Sequence, residues 1–343
     1  MIKDVTAHEK LVRQLELSLN NPPATSGERI DISFLHRSFC VAGLPIKQRA
    51  GNHFARNDGT FSINVTVPEQ TLPDGTSLMV GVPYGPKARL LILWMTTQAR
   101  DPLRSSGDRW LEIGRIEDWL RGVGINAKGE GAAKAKDQLV RLTFSLFSMF
   151  LKGENLDLFK SDKLIESAAF GTGDLEQYAT GQLGKVRWPL GLELTQRAYD
   201  RFTSRDSIPI PTSRLAEVSH SAMAIDLFVY LCYRLPEITP GDSQLTRWKS
   251  LVAQFGNKES PSKFRETFEA SIRSALRAYP EANVELTDEG LLMRYSDPAE
   301  LKRAFITVAT PNGPERHRRA LRNRTDVWRP ATPQLAAPRL VTS

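Results

Sequence analysis

Residues 81–100 read GVPYGPKARLLILWMTTQAR. Two glycines, a lysine and an apolar run suggest a phosphate-binding loop feeding a helix, so this stretch separates a nucleotide-dependent enzyme from other folds. A Walker loop has the form G-x-x-x-x-G-K-S/T, because consecutive backbone amides cradle phosphates, the lysine follows directly and the hydroxyl holds magnesium. Here three residues separate Gly81 from Gly85, Pro86 precedes Lys87 with no amide to donate, and Ala88 stands at the hydroxyl position. The stretch reads instead as the start of a helix over 86–99. Gly85 makes the turn, Pro86 is tolerated at the first helical position, and Leu90, Leu91, Leu93 and Trp94 supply a core side. Lys87 and Arg89 fall in the first turn, where they either touch a DNA backbone or cover the domain surface.

Working outward, the periodicity predicts further helices over 109–121 (RWLEIGRIEDWLR) and 131–152 (GAAKAKDQLVRLTFSLFSMFLK), joined by the glycine-rich turn GVGINAKGEG. KLIESAAF and KVRWPLGLELT follow as strands separated by the polar loop GTGDLEQYATGQLG. Helix, helix, turn, helix and a two-stranded ribbon is the order of a winged helix. After PIPTS at 209–213 the pattern recurs, with helices over 213–236, 243–256 and 260–280. Ser260 suits an N-cap, Pro261 a first turn, and Pro280 stops the last helix. NVELTDEGLLMRYSD then makes two strands around Asp288, Glu289 and Gly290. Upstream, Asn57-Asp58-Gly59 centres a hairpin in which Phe61, Ile63, Val65 and Val67 alternate.

The expected fold is α+β, mainly α: two tandem winged-helix domains with an N-terminal β-hairpin extension. Its predicted divisions are an arm and linker over 1–35, a β extension over 36–80, winged-helix domains over 81–206 and 207–305, and a basic tail over 306–343. The arm carries Leu11, Leu15 and Leu19 at helical spacing.

The 343 residues suffice for two or three domains, and 41% hydrophobic with 25% charged residues is ordinary for a globular protein. The apolar runs LLILWM and LTFSLFSMF are far shorter than the ~20 residues a bilayer span requires. The N-terminal residues lack an apolar signal core, so a cytoplasmic protein is expected. Cys40 and Cys232 make no metal or redox spacing and suit a reducing compartment. Most of the formal net charge of +7 comes from residues 311–343, where seven arginines face only Glu315 and Asp326. That tail is either attracted to a polyanion or simply solvated.

Catalysis finds little footing. The five histidines (8, 36, 53, 220 and 317) are isolated, and neither H-E-x-x-H nor G-x-S-x-G occurs. Ser219 and His220, adjacent on a helix, point apart. Glu193, Asp200 and Asp226 are isolated acids, usually solvated or ion-paired. No enzyme, cofactor or metal site is expected.

The helices offer a different chemistry. On 131–152, Lys134, Gln138, Arg141, Ser145, Ser148 and Lys152 recur at steps of three and four, opposite Leu139, Leu142, Leu146 and Phe150. Lysine and arginine suit guanine edges or phosphates, and glutamine suits adenine, so this stripe is a candidate major-groove reader; a solvated face is the alternative. Asp137 sits beside it. On 260–280, Lys263, Arg265, Arg273 and Arg277 remain for solvent, mixed with Glu266 and Glu269, and Lys249 and Lys258 flank the preceding turn. Lys163, Lys185, Arg187 and Arg294 lie in the ribbons, placed to reach phosphates. Two such modules would read successive major grooves of a site of ~20 base pairs.

Two blocks carry a family resemblance. VGVPYGPKARLLILWMTTQA at 80–99 and SRLAEVSHSAMAIDLFVYLCYRLP at 213–236 resemble the most recognisable blocks of the plasmid-encoded RepA replication initiators, and FARNDGTFSINVTVP is similar to their N-terminal segment. The resemblance covers roughly 35–300. It implies a tandem winged-helix protein that binds double-stranded DNA at repeated sites (iterons) of a plasmid origin, helps open the duplex, and recruits a host initiator and the replicative helicase. It also implies dimers that repress their own gene and no catalytic residue or cofactor. A winged-helix transcriptional regulator and an origin-specific nuclease or primase are the competing readings.

Overall fold

The computed structural model describes residues 32–298 apart from 42, 60, 102, 103, 115, 153–157 and 257–259. The helical arm and the basic tail lie outside the described residues. An initial strand, β1 (Ile32–His36), runs into the short helix α1 (Arg37–Val41). The hairpin expected around Asn57 follows as β2 (His53–Asn57) and β3 (Phe61–Thr66), then a small ribbon of β4 (Gln70–Thr71) and β5 (Ser77–Leu78). Pro86 sits in the first turn of α2 (Gly85–Ala99), and Gly85 adopts φ +73° as the turn before it requires. Residues 88–96 of α2 are buried on every side, and such a helix belongs at a protein's centre.

Two units are built on one plan. The first comprises α2, β6 (Trp110–Glu112), α3 (Ile116–Gly122), α4 (Gly129–Thr143) and, after an insertion, two further strands. The insertion is a hairpin of β7 (Leu146–Leu151) and β8 (Leu158–Lys163), and the unit's last strands are β9 (Ile165–Ala168) and β10 (Gly191–Leu194). Between those two strands lies α5 (Asp174–Ala179). A linking segment follows: α6 (Gln196–Thr203), β11 (Ser207–Pro211) and α7 (Thr212–Leu215). The second unit comprises α8 (Ala222–Arg234), β12 (Ser243–Arg247), α9 (Trp248–Phe255), α10 (Pro261–Ala278), β13 (Val284–Leu286) and β14 (Gly290–Arg294). Each unit thus runs helix, strand, helix, helix, strand, strand. In each the last strand lies between the other two, in orders β6-β10-β9 and β12-β14-β13.

Several elements differ from expectation for identifiable reasons. The helix expected over 109–121 begins as β6, and the one expected over 243–256 begins as β12, the same strand of the plan in both units. The helix expected to reach residue 152 stops at Thr143, because 146–151 alternate with period two. Phe147 and Met149 point into the core opposite Val65 and Ile63, and Ser148 and Phe150 face outward. The hairpin therefore adds to β2 and β3, giving an antiparallel sheet of order β2-β3-β7-β8. The helix expected over 213–236 is interrupted before Ser221, whose hydroxyl accepts from the Ala224 amide at 3.2 Å and starts α8 afresh. The segment that precedes the second set of helices is itself a strand, β11, which pairs with β1. Its Pro209 and Pro211 are tolerated in a sheet of two edge strands.

Where the first helices of the two units meet, Arg89 of α2 and Asp226 of α8 form a bidentate ion pair at 2.6 and 2.7 Å, with both side chains 6% exposed. Arg89 neither covers the surface nor reaches a DNA backbone. Its remaining N–H groups donate to the carbonyls of Leu44 (2.6 Å), Pro45 (3.1 Å) and Gly85 (2.9 Å), so all five donors of the guanidinium are used. Gly43 closes the site: a Cβ there would stand 2.3 Å from an Asp226 carboxylate oxygen. A second arginine, Arg56 of β2, donates to the carbonyls of Gln254 and Gly256 at 2.5 and 3.1 Å, capping the C-terminus of α9. A third, Arg100, caps α6 through the carbonyls of Thr203 and Ser204 and lies 4.6 Å from the Phe34 ring centre. One apolar core runs through both units and the N-terminal sheet. Among the described residues no helix is long and apolar enough to cross a membrane.

Truncating one partner of the central pair leaves the other charge buried. Arg89→Ala or Asp226→Ala should each lower the unfolding free energy by about 3–5 kcal/mol in urea titrations, and Arg89→Met combined with Asp226→Leu should recover most of that loss.

Candidate nucleic-acid interface

The third helix of each unit was the expected reader of DNA, and the two are presented very differently. In α10, Ser260 caps the first turn by accepting from the Lys263 amide, and Pro261 occupies the position where a missing N–H costs nothing. Phe264, Phe268, Ile272 and Ala275 fix the buried side, with Trp248 of α9 edge-on to Phe268 at 5.4 Å. The opposite face is open: Lys263, Glu266, Ala270, Arg273 and Arg277 are exposed at steps of three, four, three and four.

Local pairing orients these cations without burying them. Lys263 pairs with Glu266 at 2.9 Å, and Arg273 reaches Glu269 at 3.5 Å while its side chain stays 69% exposed. Arg277 donates to the Ser274 hydroxyl at 3.0 Å. Arg265 is held more firmly, 4.8 Å from the Trp248 ring centre and paired with Glu269 and Asp288 at 3.4 and 3.5 Å. It fastens α10 to the β13–β14 turn. Lys249, early in α9, is exposed, and so is Arg247 at the end of β12. The reading of 243–256 as one helix concealed Arg247. Lys258 lies outside the described residues. Arg294 pairs with Glu285 across the hairpin at 3.4 Å.

In α4 the expected stripe is divided. Lys134 is exposed and pairs with Glu130 at 2.6 Å, a contact that raises its pKa. Gln138 and Arg141 are buried, together with Asp137. The Asp137 carboxylate accepts from Arg141 Nε (2.9 Å), Gln138 Nε2 (2.7 Å) and the Tyr178 hydroxyl of α5 (2.7 Å). Burial, with this carboxylate alongside, pushes the Tyr178 pKa upward. Gln138 Oε1 accepts from the Tyr84 amide at 2.7 Å, and Arg141 donates to the Val82 carbonyl while lying 5.2 Å from the Tyr84 ring centre. Both side chains therefore tie α4 to the segment that enters α2, with their polar atoms turned inward. The sequence signal for this was Asp137 itself, four residues before Arg141 and so placed for an i, i+4 ion pair. Ser145, Ser148 and Lys152 lie beyond the helix.

The ribbon cations of the first unit are placed by a loop. Lys185 and Arg187 precede β10 and are exposed. Arg187 pairs with the buried Asp174 at 3.2 Å and donates to the Thr172 carbonyl at 3.1 Å. Lys136 of α4 donates to the Val186 carbonyl, binding this loop to the helix. Lys163 ends β8 and is exposed. Among the described residues no group of three or more His, Cys, Asp or Glu side chains is placed to hold a metal ion.

No family model matches the chain, and no curated protein matches it. Two crystal structures of domains 2 and 3 of RctB are similar to it in shape. The selenomethionine derivative aligns with a TM-score of 0.45 at 14% identity, covering 75% of this chain and 96% of its own. The other aligns at 0.44 and 14%, covering 77% and 99%.

Because Arg141 serves the interior, Arg141→Ala should lower the unfolding free energy by about 1–3 kcal/mol in urea titrations. Tyr178→Phe, which removes one donor from the same carboxylate, should cost about 1 kcal/mol.

Proposed function

We propose that the chain is a sequence-specific DNA-binding protein of the replication-initiator kind, built on two winged-helix units, and that it acts without catalysis, cofactor or metal. The observation that carries this reading is the doubled plan: two units that share one order of core elements and one sheet order, the second exposing a helix face with Lys263, Arg273 and Arg277 on it. In a winged helix the third helix enters the major groove, and the hairpin between the last two strands reaches the backbone.

The two units are unequal readers. The α10 face meets base edges, Arg273 and Arg277 having the reach for guanine, with Lys249 and Lys263 on phosphates. The first unit contributes the N-terminal turn of α4 at Lys134 and the loop cations Lys185 and Arg187, and positions the protein more than it reads. Resemblance of the 80–99 and 213–236 blocks to RepA initiators supports the finer assignment: iterons at a plasmid origin, origin opening, recruitment of host initiator and replicative helicase, and dimers that repress the gene. Opening a duplex by bending and unstacking needs only contact energy from many phosphates.

A nuclease-protection and binding assay on DNA adjoining the gene tests the proposal. Purified protein should prefer repeated sites there over random duplex at ~0.15 M salt, with affinity falling steeply as salt rises. Arg273→Ala and Arg277→Ala should each weaken specific binding by about 1–3 kcal/mol, whereas Lys249→Ala should reduce the salt slope by about 1. Equal affinity for every duplex rejects the proposal.

A further inference from the structure

A cavity of about 510 Å³ opens where β1, the β2–β3 turn, β7, β8, α6 and α8 converge, and none of its lining residues belongs to α4 or α10. Its walls are of two kinds. Four cations, Arg37, Lys160, Arg201 and Arg234, line it against two carboxylates, Asp58 and Asp206. Phe61, Met149, Leu151 and Tyr230 supply an apolar and aromatic side.

The cations are only partly satisfied from within. Arg37 pairs with Asp206 at 3.4 Å, and Arg234 reaches Glu237 and Gln244 at 3.2 and 2.8 Å. Arg201 has Asp162 at 3.4 Å, but its buried Nη1 has no hydrogen-bond partner among the described residues. Guanidinium groups that line a cavity suit a phosphate, whose oxygens are strong acceptors for their N–H groups. Lys160 is exposed. His36 registers the resulting field: burial first, then Arg201, Arg37 and Lys160, push its pKa down to about 3. Its imidazole is therefore neutral at physiological pH and adds no charge.

From this arrangement we infer that the cavity binds a small phosphate-bearing organic anion with a flat or apolar body, of the size of a nucleoside monophosphate. The volume lies within the ~300–1,000 Å³ usual for small-molecule sites, and mixed apolar walls with a few convergent charges are their usual lining. The occupant would touch both the N-terminal sheet and α8, the first helix of the second unit.

Calorimetric titration of the full chain with adenosine 5′-monophosphate, inorganic phosphate and adenosine tests the assignment. The monophosphate should bind more tightly than either half alone. Arg201→Gln and the surface change Lys160→Glu should each weaken it by about tenfold or more, as loss of a charge-assisted contact does. Lys160 is exposed, so that variant remains informative if Arg201→Gln fails to fold. No binding of the monophosphate at millimolar concentration, equal binding in the Lys160→Glu protein, or a loss of binding caused by Arg273→Ala on the distant α10 face would each overturn it.

Discussion

The contact on which the rest of the molecule depends is the buried pairing of Arg89 with Asp226. It joins the first helices of the two units at the centre of the protein, and neither charge has water to fall back on. A guanidinium with all five N–H groups engaged is rigid in every direction, and three of its acceptors are backbone carbonyls of residues 44, 45 and 85. The pair therefore fixes the chain segments that enter α2 as well as the mutual placement of α2 and α8. A hydrophobic replacement could match its stability. What an ion pair adds is direction, since only one relative placement of the helices satisfies it.

With the first helices locked together, the remaining differences between the units follow from what covers each of them. The first unit receives a hairpin, β7–β8, which joins the N-terminal sheet, and a loop helix, α5, whose tyrosine reaches the Asp137 carboxylate. The C-terminal half of its third helix is enclosed, with Gln138 and Arg141 held against the 82–84 segment and Asp137 against Tyr178. Among the described residues the second unit has no such additions on its third helix, and α10 keeps a charged face to solvent. Duplication of a plan has produced one unit that supports and one that presents. Arg56, reaching from the supporting sheet to the end of α9, fixes the orientation of the presenting unit as well.

Much of this was legible in the residues, where local chemistry and global fold agree. Asn57-Asp58-Gly59 and Asp288-Glu289-Gly290 mark their hairpins because glycine adopts the turn conformations that other residues avoid. Ser260, Pro261 and Pro280 bracket α10 because each acts on backbone donors within a single turn. The doubled order of elements was also visible. Its first strand was not: β6 and β12 are three and five residues long, too short to show alternation against a following helix. The polar stripe on α4 misled for a physical reason. Steps of three and four show which side chains share a face, but not whether that face meets solvent or another part of the chain. Gln138 and Arg141 meet Val82 and Tyr84, some fifty-five residues earlier in sequence. The cavity cations come from α1, β8, α6 and α8, and no local pattern brings them together.

The pairing of β1 with β11 bears on how the chain reaches its folded state. Ser33 and Thr212, hydrogen-bonded at 2.8 Å, stand 179 residues apart in sequence, and the N-terminal sheet and the first unit lie between them. Closing so long a loop is entropically costly until its contents are compact. On a chain made from its N-terminus, β1 has no partner until β11 has been synthesised. Strand β11 immediately precedes α7 and α8, so the clasp anchors the start of the segment that carries Asp226 to Arg89.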